Sequence, residues 1–296
     1  MTTTFKTATD FRKSLEARLK SIAEETNQDL QRVRRKVAFE RLLSRIFHED
    51  TGSFVLKGGY AMELRFSSAR ATKDIDLTCL RRIDDHDSTI EAIIFRELRQ
   101  LIRIDLEDYF TFQLGQAKKD LDNAPFGGSR YSVASFVDNR LFVQFQLDVG
   151  GDVIVGETDL IDGVDWLNYC GIGAPKLRMI SIEQQLPEKF HAFSLPREQK
   201  TNSRVKDLLD MLLLIEYRKV DISKFEKTVK KVFNTRNTHA IPESLKEPPI
   251  EWEVLYQKLA DECGIRSTMS EAYNKLNQFF QKQVKKNLKR IPSTSP

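Results

Sequence analysis

Two glycines and three aspartates carry the chemistry open to this chain. Gly58 and Gly59 follow the apolar run Phe54-Val55-Leu56 and Lys57, and lead into a helix turn. Glycine allows close backbone approach and positive φ, and the N–H groups of a helix start attract phosphate. Downstream, Thr72-Lys73-Asp74-Ile75-Asp76-Leu77 reads as a short strand with carboxylates two residues apart. Strand side chains alternate, so Asp74 and Asp76 share a face, their Cα atoms roughly 6–7 Å apart, while Ile75 and Leu77 turn into a core. Carboxylates about 5 Å apart repel by about 3 kcal/mol at an effective dielectric of about 20. A cation must offset that repulsion, or one acid must keep its proton. Few His and no paired Cys lie nearby, and an all-oxygen site suits Mg²⁺ or Mn²⁺. A phosphate cradle beside a metal-binding Asp-x-Asp is the layout for phosphoryl or nucleotidyl transfer. If the strand begins by residue 72, the Thr72 hydroxyl borders the same pocket. Otherwise its role is to fix the loop before the strand.

The run Lys57-Gly58-Gly59, then Arg65, then Arg-x-Thr72-x-Asp74-Ile75-Asp76-Leu77 resembles motif I of the AbiEii/AbiGii toxin nucleotidyltransferases. These include the MenT-type toxins and belong to the DNA polymerase β superfamily. The resemblance covers roughly residues 50–215 in three blocks. Glycine pairs and Asp-x-Asp are common singly; together at this spacing they are specific. By resemblance Lys57, Gly58, Gly59, Arg65 and Thr72 bind substrate, and Asp74 and Asp76 hold metal. A third acid in the superfamily sits on a later strand. In Leu141-Phe142-Val143-Gln144-Phe145-Gln146-Leu147-Asp148, Asp148 stands in that place, on the face of Phe142, Gln144 and Gln146. Such an acid binds the metal that activates the attacking hydroxyl. The competing reading is a strand-end Asp before Gly150-Gly151, with Asp152 as the alternative ligand. Glu188-Lys189-Phe190-His191-Ala192 resembles the family's Glu-Lys-x-x-Ala block. Lys189 is then expected to neutralise triphosphate charge or protonate the leaving pyrophosphate; a lone Lys would otherwise be a solvated side chain. Arg204-x-Lys206-Asp207-x-x-Asp210-Met211 resembles the Arg-x-Lys-Asp-x-x-Asp-Leu block, with Met211 for the usual Leu. Arg204, Asp207 and Asp210 fall on roughly one helix face. Either acid is expected to orient Lys189 or the nucleotide, and an internal Arg204–Asp207 ion pair is the competing reading.

The resemblance implies an α+β fold with a polymerase-β-like nucleotidyltransferase core. That gives an N-terminal helical segment at 1–50, the core at 51–180 and a C-terminal helical lobe at 181–296. An NTP and two Mg²⁺ are expected in the cleft between core and lobe. The implied acceptor is an RNA 3′ end, a tRNA, whose extension blocks translation, and the implied partner is a cognate antitoxin. Two other classes stay open: transfer to a protein or small molecule, and a non-catalytic RNA-binding protein. Neither a Walker-type Gly-Lys-Ser/Thr loop nor Gly-x-Gly-x-x-Gly occurs, which counts against P-loop and Rossmann chemistry.

The elements that must position these residues can be read from pattern. A chain of 296 residues with 40% apolar and 30% charged residues is long enough for a large core and two lobes. The three cysteines are isolated, which suits a reducing cytoplasm, and no apolar run approaches a membrane span. Apolar spacing predicts helices over 8–26, from Asp29 and over 90–102, and alternation predicts strands over 109–114, 130–137 and 140–149. Asp138-Asn139 reads as a hairpin turn. The run Arg81–Ser88 reads as a loop, and Ser203 as a helix cap. The second helix carries Arg32, Arg34, Arg35, Lys36 and Arg41 opposite its apolar stripe. These form either a solvated face or an RNA contact. Lys227, Lys230 and Lys231, and further on Lys282, Lys285, Lys286, Lys289 and Arg290, offer the same choice.

Overall fold

The computed structural model describes residues 4–49, 52–80, 89–120, 126–152, 154, 156–197, 204–217 and 219–288, with backbone alone at 119–120, 217 and 284–288. The expected loop at 81–88, the Ser203 cap and the basic pair Lys289 and Arg290 lie outside these residues, as do the side chains of Lys285 and Lys286. Two compact units emerge. The first holds residues 1–64, 71–152 and 158–179; the second holds 65–70, 153–157 and 180–296.

The first unit is built on a seven-stranded mixed sheet. Its strands are β1 (Phe54–Lys57), β2 (Asp74–Cys79), β3 (Phe110–Asp120), β4 (Gly128–Val137), β5 (Arg140–Gly151), β6 (Thr158–Asp162) and β7 (Lys176–Ile180). The order across the sheet is β3-β4-β5-β2-β1-β7-β6. The β4–β5 hairpin turns at Asp138 and Asn139, both at positive φ, as a two-residue turn requires. Sequence alternation matches burial: from Arg130 to Val137 of β4 the odd-numbered positions are buried and the even-numbered ones half-buried.

The helices of this unit are α1 (Ala8–Glu25), α2 (Leu30–Ile46), α3 (Gly58–Arg65, all but its last residue) and α4 (Ile90–Leu101). Thr7, Asp29 and Thr89 cap α1, α2 and α4, each accepting a backbone N–H three residues on. In α2 every residue from Val37 to Ile46 is buried, because the helix packs against α1, α4 and β5. Of the expected basic face, Arg41 is buried and Arg32, Arg34, Arg35 and Lys36 are half-buried. Arg41 and Arg45 converge on Asp108, at 2.7 Å from Arg41 Nε and 2.7 and 3.0 Å from Arg45. Burial alone would raise the Asp108 carboxyl; the two guanidiniums more than reverse that and hold it below the ordinary range. Arg34 pairs with Glu16, and Arg32 and Lys36 with Glu63.

The second unit is helical: α5 (Ile182–Ser194), α6 (Val205–Tyr217), α7 (Ile222–Arg236), α8 (Glu253–Glu262) and α9 (Met269–Leu288). Phe190 of α5 meets Phe225 of α7 and Phe280 of α9, and with Leu208, Leu212 and Leu276 forms its core. Lys224, Lys227, Lys230 and Lys231 of α7 are exposed, and among the described residues they form no ion pair.

Candidate active site

The sheet register brings the first-unit residues together. β2 runs antiparallel to β1 and parallel to β5, with Asp76 opposite Lys57 on one side and Asp148 on the other; Asp74 stands opposite Gln146. Residues directly opposite share a face, so Asp74, Asp76, Asp148 and Lys57 all project from one surface. Gly58 opens α3 at φ +68°, and a Cβ there would lie 1.9 Å from Asp76 Oδ2, so only glycine fits. The Gly59 N–H donates to the Asp76 carboxylate. That amide, expected to face phosphate, is directed at the acid.

The Asp76 carboxyl is raised to about 6: burial is the largest cause, the neighbouring Asp148 and Asp74 add to it, and Lys57 and the Gly59 N–H oppose it. Lys57 is also drawn to Asp152, 3.6 Å away. Asp148 is gripped from β4 by Arg130, whose Nε and Nη2 lie 2.7 and 2.6 Å from its two oxygens. Those bonds, ahead of any other influence, raise the Arg130 guanidinium further above its ordinary range. Arg130 was missed in the sequence, since strand register cannot be read from one chain.

Donor chemistry fits a hard divalent cation: oxygen only, three carboxylates, and a charge excess that still burdens Asp76. As the side chains stand, no group of three His, Cys, Asp or Glu among the described residues is arranged to hold an ion. Thr72 lies before β2, which begins at Asp74, so the strand alignment that would aim its hydroxyl into the pocket does not occur. Its Oγ1 points to the Asp74 carbonyl at 3.5 Å and its N–H donates to Glu63 at 2.6 Å. It fixes the approach to the strand.

The second unit gathers the other predicted residues. Lys189 Nζ donates to Asp207 at 3.0 Å and to Asp210 at 2.7 Å. Arg204 reaches Asp207 at 3.2 Å, so the expected ion pair is present. Arg70, assigned no role from its motif position, forms a fork on Asp210 at 3.1 and 2.8 Å. Burial alone would lower the Lys189 ammonium; Asp210 and Asp207 outweigh it and hold it above the usual lysine range. Arg65 donates to the Ile180 carbonyl.

Compared with known proteins, the chain matches the sequence profile of the nucleotidyl transferase AbiEii toxin of type IV toxin–antitoxin systems over residues 41–283. The chain is an AbiEii toxin. It is a nucleotidyltransferase, which implies an NTP substrate, and the toxin half of a type IV system, which implies an antitoxin. No curated protein matches it in sequence. Among solved structures, the AbiEii toxin is similar to MenT4, a nucleotidyltransferase toxin of Mycobacterium tuberculosis H37Rv. That match has 14% identity and a TM-score of 0.53, and covers 89% of this chain and 94% of MenT4. A candidate nucleotidyltransferase from H. pylori matches at 20% identity and TM-score 0.46, over 85% of this chain and 97% of its own. The MenT4 likeness supports the α+β nucleotidyltransferase fold. Among the described residues no helix of the AbiEii toxin is long and apolar enough to cross a membrane.

Proposed function

We propose that this AbiEii toxin transfers a nucleotide from an NTP to the 3′ end of an RNA, a tRNA, and so blocks translation, using Mg²⁺ or Mn²⁺ at Asp74, Asp76 and Asp148. The observation that carries this reading is the ladder pairing of Asp76 with Asp148, which places two carboxylates side by side with the Gly58 backbone packed directly against Asp76. A bound divalent cation supplies charge neutralisation and activation of the attacking hydroxyl. The chain's own groups do the rest. Gly58 keeps the backbone close to Asp76. Lys57 and Arg65 are assigned to the substrate's anionic groups. Lys189 remains a cation because Asp210 and Asp207 outweigh burial and raise its pKa, so it serves as a fixed positive charge rather than giving up a proton. Asp207, Asp210 and Arg204 fix its position.

RNA as the acceptor draws support from α7, whose lysines stay unpaired, and little from α2, whose cations are held by Glu16, Glu63 and Asp108. The test is incubation of the protein with total tRNA, each labelled NTP and Mg²⁺. Labelled tRNA supports the reading; label on protein or on small molecules alone refutes the RNA acceptor, and no Mg²⁺-dependent turnover refutes catalysis by these acids.

A further inference from the structure

We propose that Arg130 is a placeholder cation for the metal site: in the metal-free protein it occupies both oxygens of Asp148, and it releases them when a divalent cation binds, freeing its guanidinium for a substrate phosphate. This rests on the metal-dependent transfer proposed above.

Three carboxylates face one surface from two adjacent strands, and Lys57 and Arg130 are among the cations that answer them. Lys57 divides its charge with Asp152. Arg130 is the cation seated on Asp148, and its planar fork matches the carboxylate at both oxygens. A metal ion at Asp148 would meet that guanidinium as a like charge a few ångströms away, so the two compete.

The pair is also able to open. The Arg130 side chain is 40% exposed, whereas Arg45, in the comparable pair with Asp108, is 1% exposed and further held by the Arg41 and Phe110 carbonyls. Arg45 has nowhere to go; Arg130 has solvent beside it. A guanidinium that fits a carboxylate fork fits a phosphate equally well.

The test measures Mn²⁺ binding to nucleotide-free protein by calorimetry, then binding of an NTP with Mn²⁺ saturating. Arg130→Gln should bind Mn²⁺ alone at least about tenfold more tightly than wild type, while binding the NTP more weakly. Arg130→Lys, which lacks the fork, should fall between and serves if the Gln variant does not fold. The melting temperature of Arg130→Gln should drop in chelator, and the gap should close in Mn²⁺. Unchanged or weaker Mn²⁺ binding, an unchanged NTP affinity, or an equal melting loss with and without Mn²⁺ would each overturn the proposal. Asp76→Asn separates the two levels of failure. If wild type binds Mn²⁺ and Asp76→Asn does not, a silent Arg130→Gln refutes only the placeholder. If wild type binds no Mn²⁺ at millimolar concentration, the metal reading falls and the placeholder with it.

Discussion

The two units each bury a cluster of acids, and the clusters are opposites. On the sheet, Asp74, Asp76 and Asp148 stand together, and burial with the repulsion of its two neighbours, only partly opposed by Lys57 and the Gly59 N–H, leaves the Asp76 carboxyl raised to about 6. In the helical unit, Asp207 and Asp210 meet Lys189, Arg70 and Arg204, and the Asp207 carboxyl, which burial alone would raise, is brought below its ordinary range by Lys189 and Arg204. A cluster short of positive charge is prepared for something to arrive. A cluster with its charges matched is prepared to hold a shape. The contrast supports the proposal that the sheet acids bind a cation and that Lys189 is a fixed charge rather than a proton carrier.

The sharpest way to break this comparison is to remove charge from the sheet cluster. Asp74→Asn and Asp76→Asn should each lower nucleotide transfer by roughly a thousandfold or more, since an amide cannot balance a cation at that position. Gly58→Ala should match them, because its Cβ would displace the Asp76 carboxylate. Labelled-NTP assays with circular dichroism as a folding check measure this. Full activity in folded Asp76→Asn would end the assignment.

Loss of a partner from the balanced cluster should appear as lost stability. Lys189→Met leaves Asp207 with Arg204 and Asp210 with Arg70 alone, in a buried setting. Breaking such a pair costs about 3–5 kcal/mol. Denaturant melts should therefore show a large loss in Lys189→Met, and the bland expectation of a solvated lysine predicts none. A variant as stable as wild type would mean that the cluster is looser than its hydrogen bonds of 2.7 and 3.0 Å imply.

Much of this was legible beforehand, for physical reasons. Asp74 and Asp76 two apart on a strand, and a glycine pair before a helix, are local patterns that backbone geometry makes readable. The turn at Asp138-Asn139 is local too. What escaped was partnership across long separations. Nothing near Asp148 in sequence announces Arg130, and nothing near Asp210 announces Arg70, because both pairings depend on how distant segments are placed. The face of α2 misled for the same reason. Its arginines look solvated until Asp108, Glu16 and Glu63 arrive from other elements.

The comparison also predicts opposite responses to pH. Asp76 has a folded pKa above its ordinary 3.8, so the folded protein holds that proton more tightly than the unfolded chain. Stability therefore falls as pH rises from about 4 through about 6, and the deficit persists above. In chelator, Asp76→Asn should be more stable than wild type at neutral pH by on the order of 2 kcal/mol, with the gap closing below about pH 4. Asp207 has a lowered folded pKa, so its contribution is present above the ordinary carboxylate value and lost as pH falls through the folded one. Asp207→Asn should be less stable than wild type at neutral pH, with its gap closing only under more acidic conditions. Melting both variants across pH checks this; gaps of the same sign would erase the distinction between the clusters.

The smallest effect belongs to Arg204. It bonds Asp207 at 3.2 Å from a side chain 35% exposed, so solvent screens the pair and the flexible arginine loses entropy in holding it. Asp207 keeps the shorter bond from Lys189 at 3.0 Å in either case. Arg204→Ala should therefore cost no more than about 1 kcal/mol in denaturant melts, well below Lys189→Met. If Arg204 instead serves the substrate, as its place in the family block implies, the variant should show weaker NTP binding with stability nearly intact. A stability loss equal to that of Lys189→Met would make Arg204 a structural member of the cluster. Unchanged stability together with unchanged NTP affinity would remove it from both roles.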